Sequence, residues 1–422
     1  MDTSHIYLTV NNRHSSRMHV VPFKAVRPTR DKVHLAATRS YVSYTASQLR
    51  NKLSENPYSF LHIIHPDMTA TKMHSTGNLD ERFKQVRKQY EKFLADEILV
   101  RDEKQCYYIY QQVKQGHPFI GIIAAVSVQD YLDGRIKIHE QTLSKREDTF
   151  TRYLDITNIN AEPVLLMSSN SKTIEDVYEK YLDTRPEYDF TTTDKVRHQL
   201  WVVQDDADIA AITAAYASMD ALYIADGHHR SSSSARLKQL RASQGRTANE
   251  ACNYCLAYIL DESNVRIYEF NRIVKDLNGL SEEDFIKQLQ THFYVNEAPD
   301  HYKPTAKGEF SMYLNKKWFA LNLKHANDTL DTQLLSDLIL GPILNIHDLR
   351  KDKRIYFLEG PKGTAEMKKE VDRNKDGVAF GLYPIPVNEI KKIADKGLTM
   401  PPKSTWVEPK LRSGLVVYEL DK

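Results

Sequence analysis

Between Arg135 and about Val274, short apolar runs of strand length alternate with helix-like segments, and this alternation most restricts what the chain can become. Arg135–Ile138, Pro163–Met167, His198–Val203 and Leu222–Ala225 read as strands. Helix-like Ala207–Met219 precedes the last of them and Ser231–Ala242 follows it. Ser144 and Glu147, three apart, read as a capping box that opens a helix after His139-Glu140-Gln141-Thr142. Strands separated by helices favour an α/β arrangement with mixed sheets.

The flanks carry the same mixture. Phe60-Leu61-His62-Ile63-Ile64 reads as a strand, and Asp80–Leu99 as an amphipathic helix with Phe83, Val86, Tyr90, Phe93 and Leu94 spaced by three and four. Cys106–Gln111 and Phe119–Val128 read as a hairpin across the turn Gln115-Gly116-His117-Pro118. After Asp276 come a helix at Glu282–Gln290, a hairpin of Phe310–Leu314 with Trp318–Leu323, and a helix at Thr332–Leu340. Arg354–Leu358, Gly377–Tyr383 and Val387–Ala394 precede a final loop at Met400–Lys410. A chain of 422 residues exceeds one ordinary domain, so three regions are expected: 1–115, 116–275 as the chemical core, and 276–422.

Composition narrows the partners. The 58 basic and 56 acidic residues nearly cancel, which argues against duplex nucleic acid as the main partner. No apolar stretch approaches the roughly 20 residues of a membrane span, and Met1–Val10 lacks the charged and apolar segments of a leader. Three cysteines are too few for a disulfide scaffold, so a reduced, cytoplasmic setting is expected. The oligomeric state is left open.

The densest chemistry lies in Leu222-Tyr223-Ile224-Ala225-Asp226-Gly227-His228-His229-Arg230. An apolar strand ends in an acid and a glycine, and two imidazoles and a guanidinium lead into a helix. Glycine permits a sharp turn and close approach of a ligand. The helix N-terminus suits a phosphate, to which Arg230 and Ser231 can add donors. A buried turn in which Asp226 caps the helix would use the same residues.

At this motif the chain resembles the ParB/sulfiredoxin-like superfamily, and within it the free serine kinases, whose signature Asp226–Arg230 matches at every position. A second match is His139-Glu140-Gln141 at the end of an early core strand. A long-chain branch of that superfamily, known for years as an uncharacterised domain family, extends the likeness. Its C-terminal signature is similar to Met400-Pro401-Pro402-Lys403-Ser404-Thr405-Trp406 with Pro409-Lys410, and its N-terminal pattern to Pro22-Phe23-Lys24-Ala25-Val26-Arg27-Pro28.

The resemblance implies a ParB/sulfiredoxin-like catalytic core with added N- and C-terminal α/β regions. It implies that Glu140 and Asp226 are the catalytic carboxylates, their roles exchangeable, with Glu140 as base and Asp226 meeting substrate or Mg²⁺. Gly227, His228, His229, Arg230 and Ser231 would bind phosphate, joined by Lys403, Ser404 and Thr405 from the C-terminal loop. Substrate contacts are implied for His139, Thr142, Asn271, Arg272 and Trp406. Two departures stand out. Phe270-Asn271-Arg272 replaces a Thr-His-Arg run of relatives, and Ser40-Tyr41-Val42-Ser43-Tyr44 replaces a Pro-Pro-Tyr-Asp loop.

The reaction expected from the resemblance is phosphorylation of free L-serine to O-phospho-L-serine, feeding cysteine synthesis. ATP, ADP or pyrophosphate would be the donor. Pyrophosphate is slightly favoured, because Gly360-Pro361-Lys362-Gly363-Thr364 lacks P-loop spacing and no Rossmann glycine motif occurs. Two rivals are a hydrolase of pyrophosphate or a phosphate ester, and a ParB-like nucleotide-binding regulator without catalysis. Cys252-Asn253-Tyr254-Cys255 has redox or zinc spacing, but it sits in an apolar run with no second pair, so core packing is expected there.

Overall fold

A computed structural model describes residues 17–64, 78–142, 144–246, 250–325, 328–374 and 377–421. The chain is an α/β protein with two large sheets, the first mixed and the second antiparallel. The first sheet runs in the order Tyr188–Thr191, Val196–Val203, Tyr107–Lys114, His117–Ser127, Tyr254–Asp261, Val164–Ser168, Leu222–Asp226, Ile136–Lys137, with Val20–Val21 paired to His117–Ser127. Its pairing is antiparallel except where Tyr254–Asp261 meets Val164–Ser168 and Leu222–Asp226 meets Ile136–Lys137.

The central hairpin is set by its turn. Lys114 opposes His117, leaving Gln115 and Gly116 as a two-residue loop, and both have positive φ, at 51° and 78°. That is the geometry whose twist matches the flanking strands. Alternation then sends Tyr108 and Tyr110 to one face and Tyr107 and Ile109 to the other, and both faces are buried in apolar clusters. Helices therefore cover the sheet on both sides.

The second sheet runs Phe293–Ala298, Lys317–Leu323, Glu309–Leu314, Val378–Gly381, Arg266–Val274, Ile355–Glu359, with Thr405–Glu408 paired to Arg266–Val274. One face packs Phe310, Met312 and Leu335; the other packs Ile273, Tyr313 and Met367. The expected division at 115/116 falls in the turn of the central hairpin, whose two strands pair along their length. That at 275/276 falls just past Arg266–Val274, which pairs in the second sheet. Near the C-terminus, Arg412–Ser413 pairs with Thr38–Arg39, and Tyr418–Glu419 with Ile159–Asn160.

Most expected elements are present, and some differ. Phe60–Ile64 is no strand: Leu61–Ile64 is a short helix, held by local bonds from the Ile63 and Ile64 N–H groups to the Phe60 carbonyl. A five-residue apolar run satisfies either geometry, and here local bonding wins. The helix after Glu140 begins at Ser144, but Glu147 accepts from the Thr142 hydroxyl and pairs with Arg236 at 2.6 Å. The Thr332–Leu340 helix is α-helical over Asp331–Leu335 and continues as a π turn over Ser336–Leu340. A helix at Gly363–Arg373 follows the glycine-rich segment set aside above. Cys106, Cys252 and Cys255 are buried and form no disulfide among the described residues. No helix of the described residues is long and apolar enough to cross a membrane. Met1–Val10 lies outside the described residues.

Candidate active site

The strand Leu222–Asp226 carries a buried apolar run into the first sheet and ends at Asp226, where the chain must turn into the helix His228–Ser243. Gly227 makes that turn at φ 105° and ψ 26°. A side chain there would be strained by its backbone, and a Cβ would lie 3.1 Å from the Arg230 guanidinium and 3.4 Å from the Val164 Cα. The Gly227 carbonyl accepts from the Arg230 and Ser231 N–H groups, which starts the helix.

Beside this turn lies the end of Ile136–Lys137. The backbone N–H of His139 points to His228 Nε2 at 3.4 Å, and the two rings meet edge to face at 4.5 Å. Both histidines are buried. Burial brings the His139 imidazole down to about 4, Asp226 opposing, and holds His228 well below its ordinary range, so both are neutral. The His139 carbonyl accepts from the Met400 N–H at 2.8 Å, which fastens the C-terminal loop to the site.

Two carboxylates share this neighbourhood and titrate in opposite directions. Burial and the charge of Asp226 raise Glu140, while Lys403, Arg350 and Arg146 pull the other way. Burial would raise Asp226 too, but Lys410 and Arg230 outweigh it and bring the carboxylate to about 2. Lys410 Nζ donates to Asp226 Oδ2 at 2.8 Å and also lies over the Trp406 ring at 4.3 Å. The Asp226 side chain keeps 43% of its surface open, so solvent screens this pair and it contributes about 1 kcal/mol at most to stability.

The C-terminal loop contributes unevenly. Lys403, at φ 59°, lies over the Phe270 ring at 5.0 Å, and its charge bears on Glu140 and Glu359. Ser404 is buried, bonding the Pro401 carbonyl at 2.7 Å and the Thr332 hydroxyl at 3.3 Å. Thr405 and Trp406 belong to the strand Thr405–Glu408, opposite Glu269 and Tyr268.

The remaining expected residues are placed as follows. His229 is half-buried, its carbonyl accepting from the Ser232 and Ser233 hydroxyls, with Nδ1 unpartnered. Burial and Arg146 lower its imidazole. Arg230 reaches Glu162 Oε2 and the Pro163 carbonyl, both at 3.0 Å. Ser231 is buried on the first turn. Thr142 is engaged by Glu147. Asn271 accepts from the Leu382 N–H at 3.3 Å and lines a separate cavity in the second sheet. Arg272 is fully buried over Phe357, and burial lowers it to about 9.

The structure thus gathers Glu140, Asp226, His139, His228, Lys403 and Lys410, and adds Arg146 and Arg350, which sequence reasoning missed. Arg146 stands in the first turn of the helix Ser144–Thr157, a place where an arginine carries no signal of its own. Arg350 stands in a turn between Ser336–Leu340 and the second-sheet strand Ile355–Glu359. Among the described residues no cluster of three or more His, Cys, Asp or Glu could hold a metal ion. The Lys410 bond is made to Asp226 Oδ2, which leaves Oδ1 out of that contact.

Several solved structures are similar to this chain at low score. A free serine kinase in complex with AMP matches at 15% identity and a TM-score of 0.38, over 71% of this chain and 91% of that one. SbnI with a C-terminal truncation, from Staphylococcus aureus, matches at 13% identity and a TM-score of 0.39, over 69% and 85%. A conserved hypothetical protein from Pyrococcus furiosus matches at 16% identity and a TM-score of 0.36, over 73% and 97%. A search of curated proteins finds no match. A family model matches residues 20–338, and this chain belongs to that family, described as a protein of unknown function (DUF1015).

Proposed function

We propose that this protein is a phosphotransferase that moves a phosphoryl group from a phosphoanhydride to the hydroxyl of free L-serine. The observation that carries this reading is the divergence of the two neighbouring carboxylates, Glu140 raised and Asp226 held at about 2. Paired acids whose surroundings separate them in this way divide the work of proton acceptor and permanent anion. Glu140 takes the serine proton as Oγ attacks phosphorus and the anhydride P–O bond breaks, the leaving phosphate departing with the bonding electrons.

Asp226 stays ionised throughout. It orients the acceptor, or supplies an oxygen to Mg²⁺, which when bound would neutralise phosphate charge. The cations around Glu140, namely Lys403, Arg350 and Arg146, together with the uncapped start of the helix His228–Ser243, suit the phosphate groups. Neutral His139 and His228 pack the floor and hold it in shape. Recognition by charge alone needs no base pocket, which is why we favour pyrophosphate over ATP or ADP.

The test is donor consumption with and without L-serine, in wild type, Glu140→Gln and Asp226→Asn. Serine-dependent consumption that drops by about 10²–10⁴-fold in Glu140→Gln supports the proposal. Consumption indifferent to serine would make the protein a hydrolase. Full turnover in Glu140→Gln would remove the base from its role.

A further inference from the structure

A cavity of about 530 Å³ opens in the second sheet, and Glu140, Asp226 and His228 are not among its lining residues. Glu269 and Asn271 of Arg266–Val274, Ser311 of Glu309–Leu314 and Thr364 of Gly363–Arg373 line it. Its size lies within the usual range for small-molecule sites. Two glycines keep it open. A Cβ on Gly360 would lie 2.7 Å from the Glu269 carboxylate, and one on Gly381 would lie 2.2 Å from Ser311 Oγ.

Its polar groups are only partly used. Ser311 is 1% exposed, and its hydroxyl has no partner among the described residues. A buried hydroxyl in that state carries a desolvation cost that a bound partner would remove. Glu269 receives one long contact, from Asn271 Nδ2 at 3.4 Å, and no lysine, arginine or histidine pairs with it among the described residues. By contrast, Lys114 and Glu408 at the cavity edge are already paired with each other. The helix Gly363–Arg373, whose Gly363 and Thr364 line the same cavity as Glu269, begins with no side-chain cap, and the exposed Lys303 is a further lining residue.

We propose that this cavity is a second ligand site, built for a free amino acid. Its ammonium would pair with Glu269, its carboxylate would face the start of Gly363–Arg373 and Lys303, and Ser311 would bond a polar atom between them. A lone anion would meet an unpaired carboxylate, and a lone amine would leave the helix end unused, so the zwitterion satisfies both ends. The proposal goes beyond the phosphotransferase reading and does not depend on it.

The full chain is titrated calorimetrically with each proteinogenic L-amino acid singly at millimolar concentration, alongside Glu269→Gln, Ser311→Ala and Asp226→Asn. At least one amino acid is expected to bind. Its affinity should weaken about tenfold or more in Glu269→Gln, fall in Ser311→Ala and stay unchanged in Asp226→Asn. If Glu269→Gln does not melt as a folded protein, Ser311→Ala decides, because it removes one unpaired oxygen. No binding by any amino acid overturns the proposal. So does a result in which every amino acid that binds either keeps its affinity in both cavity substitutions or loses it in Asp226→Asn.

Discussion

Lys410 reaches across 184 positions of sequence to hold the carboxylate of Asp226 at 2.8 Å, while its ammonium rests on the face of Trp406. The acid that ends a first-sheet strand is thus kept ionised by the strand-and-loop segment that closes over the site. A cation–carboxylate bond combined with ring contact fixes the lysine at two points.

Removing that lysine should be felt at neutral pH and fade in acid. Asp226 is depressed from the ordinary 3.8 to about 2, so its contribution to stability is complete above pH 4 and is lost as pH falls towards 2. Lys410→Met should lower stability by about 1 kcal/mol or less at neutral pH, because solvent screens the pair. The difference from wild type should shrink below pH 3. Thermal melts across that range measure it.

Lys403 should set the acidic limb of the pH–rate profile. Glu140 is raised by burial and Asp226, and Lys403 is first among the charges that restrain it. A base works only when ionised, so the rate should rise with pH through the Glu140 pKa. Lys403→Met should move that limb to higher pH. A limb that stays in place would detach Lys403 from Glu140.

Gly227→Ala combines a φ of 105° with a Cβ placed 3.1 Å from the Arg230 guanidinium. A loss of about 1–3 kcal/mol in chemical denaturation is expected. Turnover should fall as well, because Arg230 must shift. Unchanged stability would mean that the turn relaxes without strain.

How far the sequence could be read depended on the range of the determining interaction. The hairpin across Gln115-Gly116 was legible because two adjacent positive-φ residues set its turn locally. The helix Leu79–Ala95 was legible because Val86, Tyr90 and Phe93 mark one face. Asp226-Gly227 was legible as a strand-to-helix turn, since glycine is needed there. By contrast, Leu61–Ile64 was misread because its few apolar residues fit both periodicities. The helix Gly363–Arg373 was hidden behind a glycine and proline start that reads as loop. Arg146 and Arg350 were invisible as site residues, since only tertiary folding brings their charges to Glu140.

Acid should also destabilise the protein earlier than its carboxylates alone require. Burial holds His139 at about 4 and, with Arg412, His198 at about 3, against an ordinary value of 6.5. The unfolded chain therefore binds more protons between pH 6.5 and 4. Stability is complete above that window and declines as pH falls through it. Each histidine should cost on the order of 2 kcal/mol by pH 4. His198→Gln, which keeps a polar group near the Tyr110 hydroxyl, should flatten the decline in melts from pH 7 to pH 4.

The central claim is best tested on its product. Purified protein is incubated with L-serine, Mg²⁺ and, separately, pyrophosphate, ATP or ADP, and O-phospho-L-serine is sought by mass spectrometry. Phosphoserine formed by wild type with one of these donors, and lost in Glu140→Gln and Asp226→Asn, is the predicted result. Folded wild-type protein that makes no phosphoserine with any of the three would contradict it.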